Sequence, residues 1–586
     1  GDYSIFPDMA QYPNPISLLE VTDKTTSDRV LVNGYLQAEP IKGLTLKANL
    51  GVDRRYDKNK SYVPNTTVAG AAKGGIANIL QRDNIDYLME LTANYTKDFG
   101  NHSLTALVGY SYQQFNQESV YAGNEDFSTD GFLYNNLQAG AGTKPYVNSS
   151  ARKSALGSYF ARANYSYLGK YLLTVTVRAD GESNFHPDYR WGYFPSVSAG
   201  WRFSDEEFMK PLSSILSNGK LRASYGQTGN SNIGNYMTDS YGVVSGWVFG
   251  NDGYMGTAIT KRGNKKLTWE TTSEFNIGLD LGFFDNRISL SMEYYNRIIS
   301  DLLVSNKSLP AYNEINTIAA NIGKTQGRGF ELTLSTVNIM NKDWTWSTDF
   351  TFYTFKDNWY ERDPNWKPAA YESKKDPIRS YYSYVSDGLL QVGEKAPAWQ
   401  PTLVPGQIKL KNLYDTGTSP NVLDQYDKVN LGSQDPKCTL GLNNTLRYKN
   451  LDFNIYFYGE IGRLRGASYY DAWIVGLGNS LTNVSQQSLH SYTNANQNTT
   501  VPNLIESAYD FGDYYHKKIN YLRCRNITLG YTIPVSKSIA NSVRISANVS
   551  NPFVFTNWNG VDPETDTGNF SYPNVTSFSF GIDISF

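Results

Sequence analysis

The final stretch of the chain, 575–586, alternates strictly between apolar and polar residues. The apolar residues all share one parity: Phe578, Phe580, Ile582, Ile584 and Phe586. Because consecutive side chains of a β-strand point to opposite faces, this segment predicts a strand with one apolar face and one polar face. A half-buried strand of a soluble sandwich fits the pattern, and so does an outer-membrane barrel strand with lipid outside and water inside.

The same alternation recurs along the chain and predicts about seventeen strands. A strand of about ten residues is long enough to cross the hydrocarbon layer at a tilt. The fold class predicted by this pattern is all-β, as a transmembrane antiparallel β-barrel. The first predicted strands cover 29–38, 44–56, 86–96, 103–113, 156–167 and 171–178.

The connections between predicted strands fall into two alternating length classes. Short turns lie at 39–43, 98–101 and 168–170. Outer-membrane barrels place short turns in the periplasm and long loops outside, whereas a soluble sandwich or propeller has no reason to alternate in this way. The barrel is therefore favoured. The long connections are predicted at 57–80, 115–150, 228–266, 301–320, 357–436, 463–518 and 552–574.

The parity of the strands carries a further expectation. The last strand ends on the short-turn side, but residues 1–28 lead into the first strand from the long-loop side. Single-chain barrels of this type have an even number of strands and both ends in the periplasm. An odd number of strands is therefore expected to be missing before the first one, and the chain is expected not to close a barrel alone.

Composition narrows the classes of function. Aromatic residues reach 14%, with 45 Tyr and 49 Gly, which is typical of strands and turns. The formal net charge of −2 gives no sign of nucleic-acid binding, for which a stripe of basic residues would be expected. The histidines fit no zinc spacing, and no nucleophile elbow or phosphate loop occurs, so neither an enzyme nor a cofactor is expected. The four histidines are His102, His186, His490 and His516.

Several sequence blocks resemble the SusC/RagA-like outer-membrane transporters of Bacteroidetes, a branch of the TonB-dependent transporters. The first reads Arg-Ala-Asp-Gly-Glu-Ser-Asn-Phe at 178–185, and the second begins Arg-Trp-Gly-Tyr-Phe-Pro at 190. The order and spacing of the blocks make the resemblance specific. Further blocks lie at 221–230, 267–272, 278–280, 526–534, 550–553 and 562–564.

The resemblance implies a 22-strand barrel around an N-terminal plug, with a short box that engages TonB. Seventeen strands leave five unaccounted for, an odd number that agrees with the parity of the strands. Residues 1–586 are thus interpreted as the C-terminal part of one barrel domain with long extracellular loops, and the plug and first strands are expected to be absent from this sequence. The localisation implied is the bacterial outer membrane, with outer-membrane lipid around the strands.

The function implied by the resemblance is active import of a nutrient oligomer. The implied partners are a SusD-like surface lipoprotein over the long loops and TonB–ExbB–ExbD, acting through the missing N-terminal part. Oligosaccharide or glycan cargo is the first expectation and oligopeptide its rival. The alternative from another class of function is an adhesin or structural barrel that transports no cargo. A passive porin is the third possible function. The resemblance leaves open whether two transporter–lid pairs form a dimer.

Aromatic residues in the two longest outward loops are the candidates for ligand contact. Their flat apolar faces with nearby polar groups suit sugar rings and also peptide side chains. The alternative for each is that it packs its own loop or rests on a partner protein. The candidates are Trp359, Tyr360, Trp366, Trp399, Tyr469, Tyr470 and Trp473.

Two further groups of residues receive structural interpretations. Aromatic residues near predicted strand ends are typical of a girdle at the membrane interface: Trp201, Phe203, Tyr531, Phe580 and Phe586. A loop of relatives that resembles a calcium site corresponds here to 413–427. Asp415, Asp424 and Asp427 remain as weak metal candidates, but the tight acidic spacing that a cation cage requires is lost, so a solvated loop is the favoured interpretation and no metal is expected.

Overall fold

The computed structural model describes residues 14–142, 145–249, 252–310, 312–313, 315–414, 421–466, 486–503, 511–535, 540–565 and 572–585. The strands within these residues are β1 (Thr22–Ile41), β2 (Leu44–Val63), β3 (Ile76–Phe99), β4 (His102–Glu125), β5 (Tyr146–Tyr167), β6 (Tyr171–Glu182), β7 (Trp191–Trp201), β8 (Leu216–Asn230), β9 (Tyr241–Phe249), β10 (Asp252–Lys261), β11 (Glu270–Phe283), β12 (Ile288–Ser300), β13 (Leu303–Ser308), β14 (Thr317–Asn321), β15 (Lys324–Met340), β16 (Trp344–Glu361), β17 (Ser380–Ser383), β18 (Ser386–Leu389), β19 (Ile408–Leu410), β20 (Val429–Ser433), β21 (Cys438–Tyr448), β22 (Leu451–Arg465), β23 (Lys517–Ile533), β24 (Ser542–Thr556) and β25 (Ser577–Ser585).

Helical structure in the same residues is limited to segments of three to six residues. One α-helical turn, α1, covers Val68–Ala71. The 3₁₀ turns are Ser17–Glu20, Asp130–Phe132, Leu137–Ala139, Phe203–Asp205, Glu207–Leu212, Gln425–Asp427 and Gln486–His490. Across the described ranges, none of the helices has the length and apolar content needed to cross a bilayer.

Seventeen of the described strands belong to one large sheet, which confirms the predicted number: β1 to β8, β11, β12, β15, β16 and β21 to β25. The registers of its strand pairs are antiparallel wherever they are resolved. The other strands form four hairpins inside the long connections: β9–β10, β13–β14, β17–β20 and β18–β19. No pairing joins β1 to β25 in the part of the chain that the structure describes, so the sheet is not closed there.

The chain divides into two compact units, which are described separately. Unit 1 comprises Gly1–Val197, Gly226–Thr272 and Ser300–Ile322. In unit 1 the strands β1 to β6 pair in chain order. Its largest buried cluster is Phe185, Phe194, Ile233, Leu267, Trp269 and Ala319.

Unit 2 comprises Ser198–Tyr225, Ser273–Ile299 and Gly323–Phe586. In unit 2, β15, β16 and β21 to β25 pair in chain order. Its buried cores are likewise small and lie in the long connections and at the strand ends. The larger of the two is Leu389, Ile408, Leu410, Tyr492 and Tyr515.

The positions of the short turns were predicted correctly, but the first two are shorter than predicted because β1 continues to Ile41 and β3 to Phe99. β1 and β2 are joined through residues 42–43, β3 and β4 through 100–101, and β5 and β6 through 168–170. Gly43 has φ +85°, and a Cβ there would lie 2.4 Å from the backbone oxygen of Thr96. Only glycine combines that backbone conformation with so close an approach, so this turn depends on its glycine.

The long-loop ends of several strands were predicted wrongly. β2 runs to Val63 rather than 56, β3 begins at Ile76 rather than 86, and β4 runs to Glu125 rather than 113. These strands are 20 to 24 residues long, about twice what a bilayer requires. Beyond the hydrocarbon layer both faces of a strand meet water. The backbone hydrogen bonds between strands continue there, but the sequence no longer alternates between apolar and polar residues, so the extension of the strand cannot be predicted from that pattern.

The alternation of β25 is preserved in the structure. Phe578, Phe580 and Ile582 are all more than two-thirds exposed on one face. They pair across the sheet with apolar residues of β24, such as Val549 opposite Phe578. An apolar face that no protein atoms cover is what a lipid-facing strand requires.

The opposite face carries polar networks. In unit 2 the Arg222 guanidinium donates to Asp280 at 3.0 Å and to Glu293 at 3.1 Å. The Arg544 guanidinium donates to Asp452 at 2.6 Å. Asp280 alternates with apolar residues along β11, so the side of the sheet opposite the lipid-facing one is hydrophilic.

Candidate functional site

The two longest connections of unit 2 build a folded cap, defined here as residues 362–414, 421–437, 486–503 and 511–516. Its core consists of the buried cluster that contains Ile408 and Leu410, at 0% and 1% exposure. Asp513 holds the start of β18, because its Oδ1 accepts 2.7 Å hydrogen bonds from the backbone and the hydroxyl of Ser386. The Tyr492 hydroxyl accepts from the Val392 amide at 3.0 Å. Candidate side chains here are therefore carried on packed structure.

Four of the seven predicted ligand-contact residues lie in the described part of the chain. Trp359 and Tyr360 were predicted to lie in a loop, but they are among the last residues of strand β16, which continues to Glu361, and Tyr360 is 61% exposed. Trp366 lies in the following segment with the Arg362 guanidinium 3.7 Å from its ring centroid, and the same guanidinium lies 5.5 Å from that of Trp359. This stack joins two candidate tryptophans through one cation.

Trp399 has a different environment. Its indole Nε1 donates a 2.8 Å hydrogen bond to the Leu410 carbonyl oxygen, which ties it to the core of the cap. Trp366 and Trp399 thus both contribute to packing their own loops, while Tyr360 presents the largest free surface of the four. Tyr469, Tyr470 and Trp473 lie outside the described residues.

Of the predicted girdle residues, Trp201, Phe203 and Tyr531 lie near strand ends, whereas Phe580 lies near the middle of β25. Trp201 ends β7, and its Nε1 donates to Glu206 at 3.1 Å. Its ring packs edge-on against Phe203, with centroids 5.8 Å apart. Tyr531 is 42% exposed and Phe580 85% exposed. Phe586 falls outside the described residues.

The acidic loop uses its carboxylates to bind the backbone. Asp427 is fully buried, and its Oδ1 accepts from the amides of Leu413 at 2.6 Å and Tyr414 at 3.1 Å. Its Oδ2 accepts from the Asp424 amide at 3.0 Å, and the two aspartates form a capping box. No group of residues suited to a metal ion occurs within the described ranges, and Asp415 lies outside them.

A buried ion cluster fixes the connection between β24 and β25. Arg523 of β23 donates to Asp562 at 2.8 Å and to Glu564 at 2.6 Å, and the side chains of Arg523 and Asp562 are only 4% and 5% exposed. Arg525 also donates to Glu564, at 2.6 Å. Burial alone would raise the pKa of Asp562, but hydrogen bonds from the amides of Glu564 and other loop residues, together with the charge of Arg523, bring that pKa below its usual value.

Sequence reasoning missed this cluster. The acidic residues at 562–564 were noted only as part of a resemblance, because their arginine partner lies 39 residues earlier in the chain. The available signal was the run Arg-Cys-Arg at 523–525, where two cations flank a cysteine in the middle of a strand. A buried arginine demands a carboxylate partner, so that run could have been matched to the acidic pair.

The chain is similar to known proteins along nearly all of its length. Residues 2–551 match the family described as "TonB dependent receptor-like, beta-barrel". TonB-dependent receptor P3 of Formosa agariphila is 32% identical over 100% of this chain and 61% of its own length. TonB-dependent receptor SusC of Bacteroides thetaiotaomicron is 28% identical over 98% of this chain and 57% of its own length. The chain spans about three-fifths of the length of such curated relatives.

Among solved structures, one described as the RagAB peptide transporter superposes on this chain with a TM-score of 0.84. The two sequences are 26% identical, and the match covers 98% of this chain and 63% of the other. A similarity of this extent includes the cap as well as the membrane strands.

Proposed function

Because this chain belongs to the TonB-dependent receptor-like β-barrel family of the outer membrane, in its SusC/RagA-like branch, we propose that it forms most of the wall of an active importer of nutrient oligomers. The observation that carries this proposal is the match along the whole chain to SusC and to the RagAB transporter. The seventeen-strand sheet with an apolar face supports it. Strands beyond these seventeen would complete a 22-strand barrel around a plug.

The proposed assembly includes two kinds of partner. A SusD-like lipoprotein sits over the long connections, and TonB–ExbB–ExbD supplies the energy from the periplasm. The cap of unit 2 supports the first interaction, because a packed core such as Ile408 and Leu410 gives a lid a defined surface on which to dock. Transport, rather than any covalent chemistry, is the proposed activity. Pairing of two transporter–lid units is compatible with this assembly.

The cargo is proposed to be an oligosaccharide, with Trp359, Tyr360, Trp366 and Trp399 among its contacts. Tyr360 supports this best, because this residue is 61% exposed near the end of β16. An oligopeptide is the second candidate. The specific observation in its favour is the similarity to a structure described as a peptide transporter, at 26% sequence identity.

Deletion of the whole gene in the native host tests the function. The expected result is loss of growth on one polymer as sole nutrient, restored by the wild-type gene, with attachment to surfaces unchanged. Loss of attachment with normal use of every nutrient polymer would instead support an adhesin and overturn the importer. A native mass spectrum of the complex extracted in mild detergent tests the assembly, because a lipoprotein should be retained with the full-length transporter.

A further inference from the structure

A cavity of about 580 Å³ opens in unit 1 at the long-loop ends of β5, β6 and β8. Its size falls in the range of sites that bind small ligands. The floor is apolar and rigid, because Trp269 and Ile233 are 7% and 4% exposed within the buried cluster of this unit. The Trp269 indole Nε1 donates to the Arg190 carbonyl oxygen at 2.7 Å, which fixes the orientation of the ring.

The walls of this cavity are polar and electrically balanced. Arg178 donates from Nε to both carboxylate oxygens of Asp180 at 2.8 Å, and from Nη2 to the Ser158 hydroxyl at 2.9 Å. Asp180 is 6% exposed, so the charged pair is held in one geometry. Arg178 and Asp180 are the charged residues that line the cavity, and their charges cancel. An uncharged ligand is therefore favoured over an ionic one.

Asparagines supply hydrogen-bonding groups around the rim. Asn230 donates from Nδ2 to Glu270 at 3.0 Å, while its Oδ1 accepts from the Asn232 amide at 3.0 Å, so this part of the rim is fixed. The side-chain amides of Asn184 and Asn232 make no hydrogen bond within the described residues, and both are partly or fully exposed. Each amide offers two donors and an acceptor to a ligand.

We infer that this cavity is a binding site for an uncharged, hydroxyl-rich segment of the cargo, such as a neutral sugar ring. A sugar hydroxyl both donates and accepts hydrogen bonds, which matches the amides of Asn184 and Asn232. The C–H face of the ring would rest on the apolar floor formed by Trp269 and Ile233. The inference rests on the proposed function and adds to it a specific binding site and the absence of charge on the segment bound there.

A peptide main chain fits this cavity less well. One recurring way in which an extended peptide binds is by adding a strand to a free sheet edge. Strand β5 is paired with β4 on one side and with β6 on the other, so it offers no edge. The cavity also lacks the alternating apolar pockets that such binding requires, since Leu156, Ile233 and Trp269 form a single floor.

The test uses the full-length transporter purified with its lipoprotein. Binding of neutral hexasaccharides (β-1,3-glucan, α-1,4-glucan and β-1,4-xylan) and of a pool of uncharged octapeptides is measured by native mass spectrometry and calorimetry. The variant is N184A N232A, which removes two side-chain amides that have no hydrogen-bond partner among the described residues. The matched control is N135A N136A, which removes exposed asparagines of the β4–β5 connection.

The expected result is that wild type binds at least one hexasaccharide and that N184A N232A weakens it about tenfold or more, as loss of two hydrogen bonds requires. The control should stay within about twofold. Unchanged saccharide affinity in N184A N232A overturns the site but leaves import intact. Binding of octapeptides alone overturns the ligand class. If neither class binds, the proposed function fails together with this site. The single variants and equal thermal stability guard against misfolding.

Discussion

The long-loop side of the molecule is built in two different ways. In unit 1 the strands β2 and β3 continue well past the length of a membrane span, and their extensions carry exposed ion pairs such as Arg54–Asp83. In unit 2 the connection after β24 folds back onto the sheet through the buried pair Arg523–Asp562. The extended strands of unit 1 are stabilised by many backbone hydrogen bonds, whereas the connection in unit 2 is stabilised by a few buried side chains.

This difference predicts how each region responds to mutation. A ladder of backbone bonds does not depend on any one side chain, and exposed charges are solvated whether or not they are paired. A buried charge without its partner has lost both water and counter-ion. Single substitutions of buried residues should therefore be severe in the unit 2 connections, whereas substitutions of exposed charges should be almost silent in the extended strands of unit 1.

The largest effect is expected for Arg523→Met. It leaves Asp562 buried without a cation and leaves Glu564 with Arg525 alone, which should destabilise the β24–β25 connection locally by about 3–5 kcal/mol. Hydrogen exchange of peptides covering 557–565 in the full-length protein measures this. Peptides from β3 should keep their wild-type exchange. Wild-type protection of 557–565 in the variant would show that the ion cluster does not hold the connection.

Leu410→Ala should come next, because it opens a cavity in the core of the cap. Leu410 is 1% exposed, and such truncations cost about 2–5 kcal/mol. Limited proteolysis should cut the cap faster than in wild type. Leu489→Ala is the matched control, because Leu489 is 82% exposed in the same cap and should change nothing. Equal cleavage of both variants would mean that the cap has no cooperative core.

Acidification should release the β24–β25 connection more gently. The folded-state pKa of Asp562 is lowered, so its contribution is complete above the ordinary aspartate value of about 3.9 and is lost as the pH falls through the folded value. Pepsin cleavage within 557–565 should therefore increase as the pH falls below about 4. In Asp562→Asn this pH dependence should largely disappear. A pH profile shared by both proteins would assign the release to other groups.

Arg54→Gln should have the smallest effect. The Arg54 guanidinium donates to Asp83 at 2.6 Å, but the pair lies in water on extended strands whose backbone bonds remain in place. Hydrogen exchange of peptides covering 54–60 should match wild type. Loss of protection there would contradict the comparison, because it would show that the extensions depend on individual ion pairs.

The sequence predicted which regions of the chain carry candidate ligand-contact residues, but it did not predict which side chains contact one another there. It placed Trp359 and Trp366 in a long loop, but not the Arg362 guanidinium that stacks on both rings. It missed the cavity in unit 1 because Asn184 and Asn232 lie on separate connections about fifty residues apart, and polar residues in loops carry no periodic signal.

The sequence by itself determined the all-β class, the seventeen strands and the short turns. Lipid on one face and water on the other require apolar and polar residues to alternate along each strand. A tight turn with a positive φ, such as that at Gly43, requires a glycine. Only the tertiary structure decided how far β2 to β4 continue and which distant residues meet. Arg523 and Asp562 pair through the return of a long loop, and such a return is set by packing and charge burial rather than by local pattern.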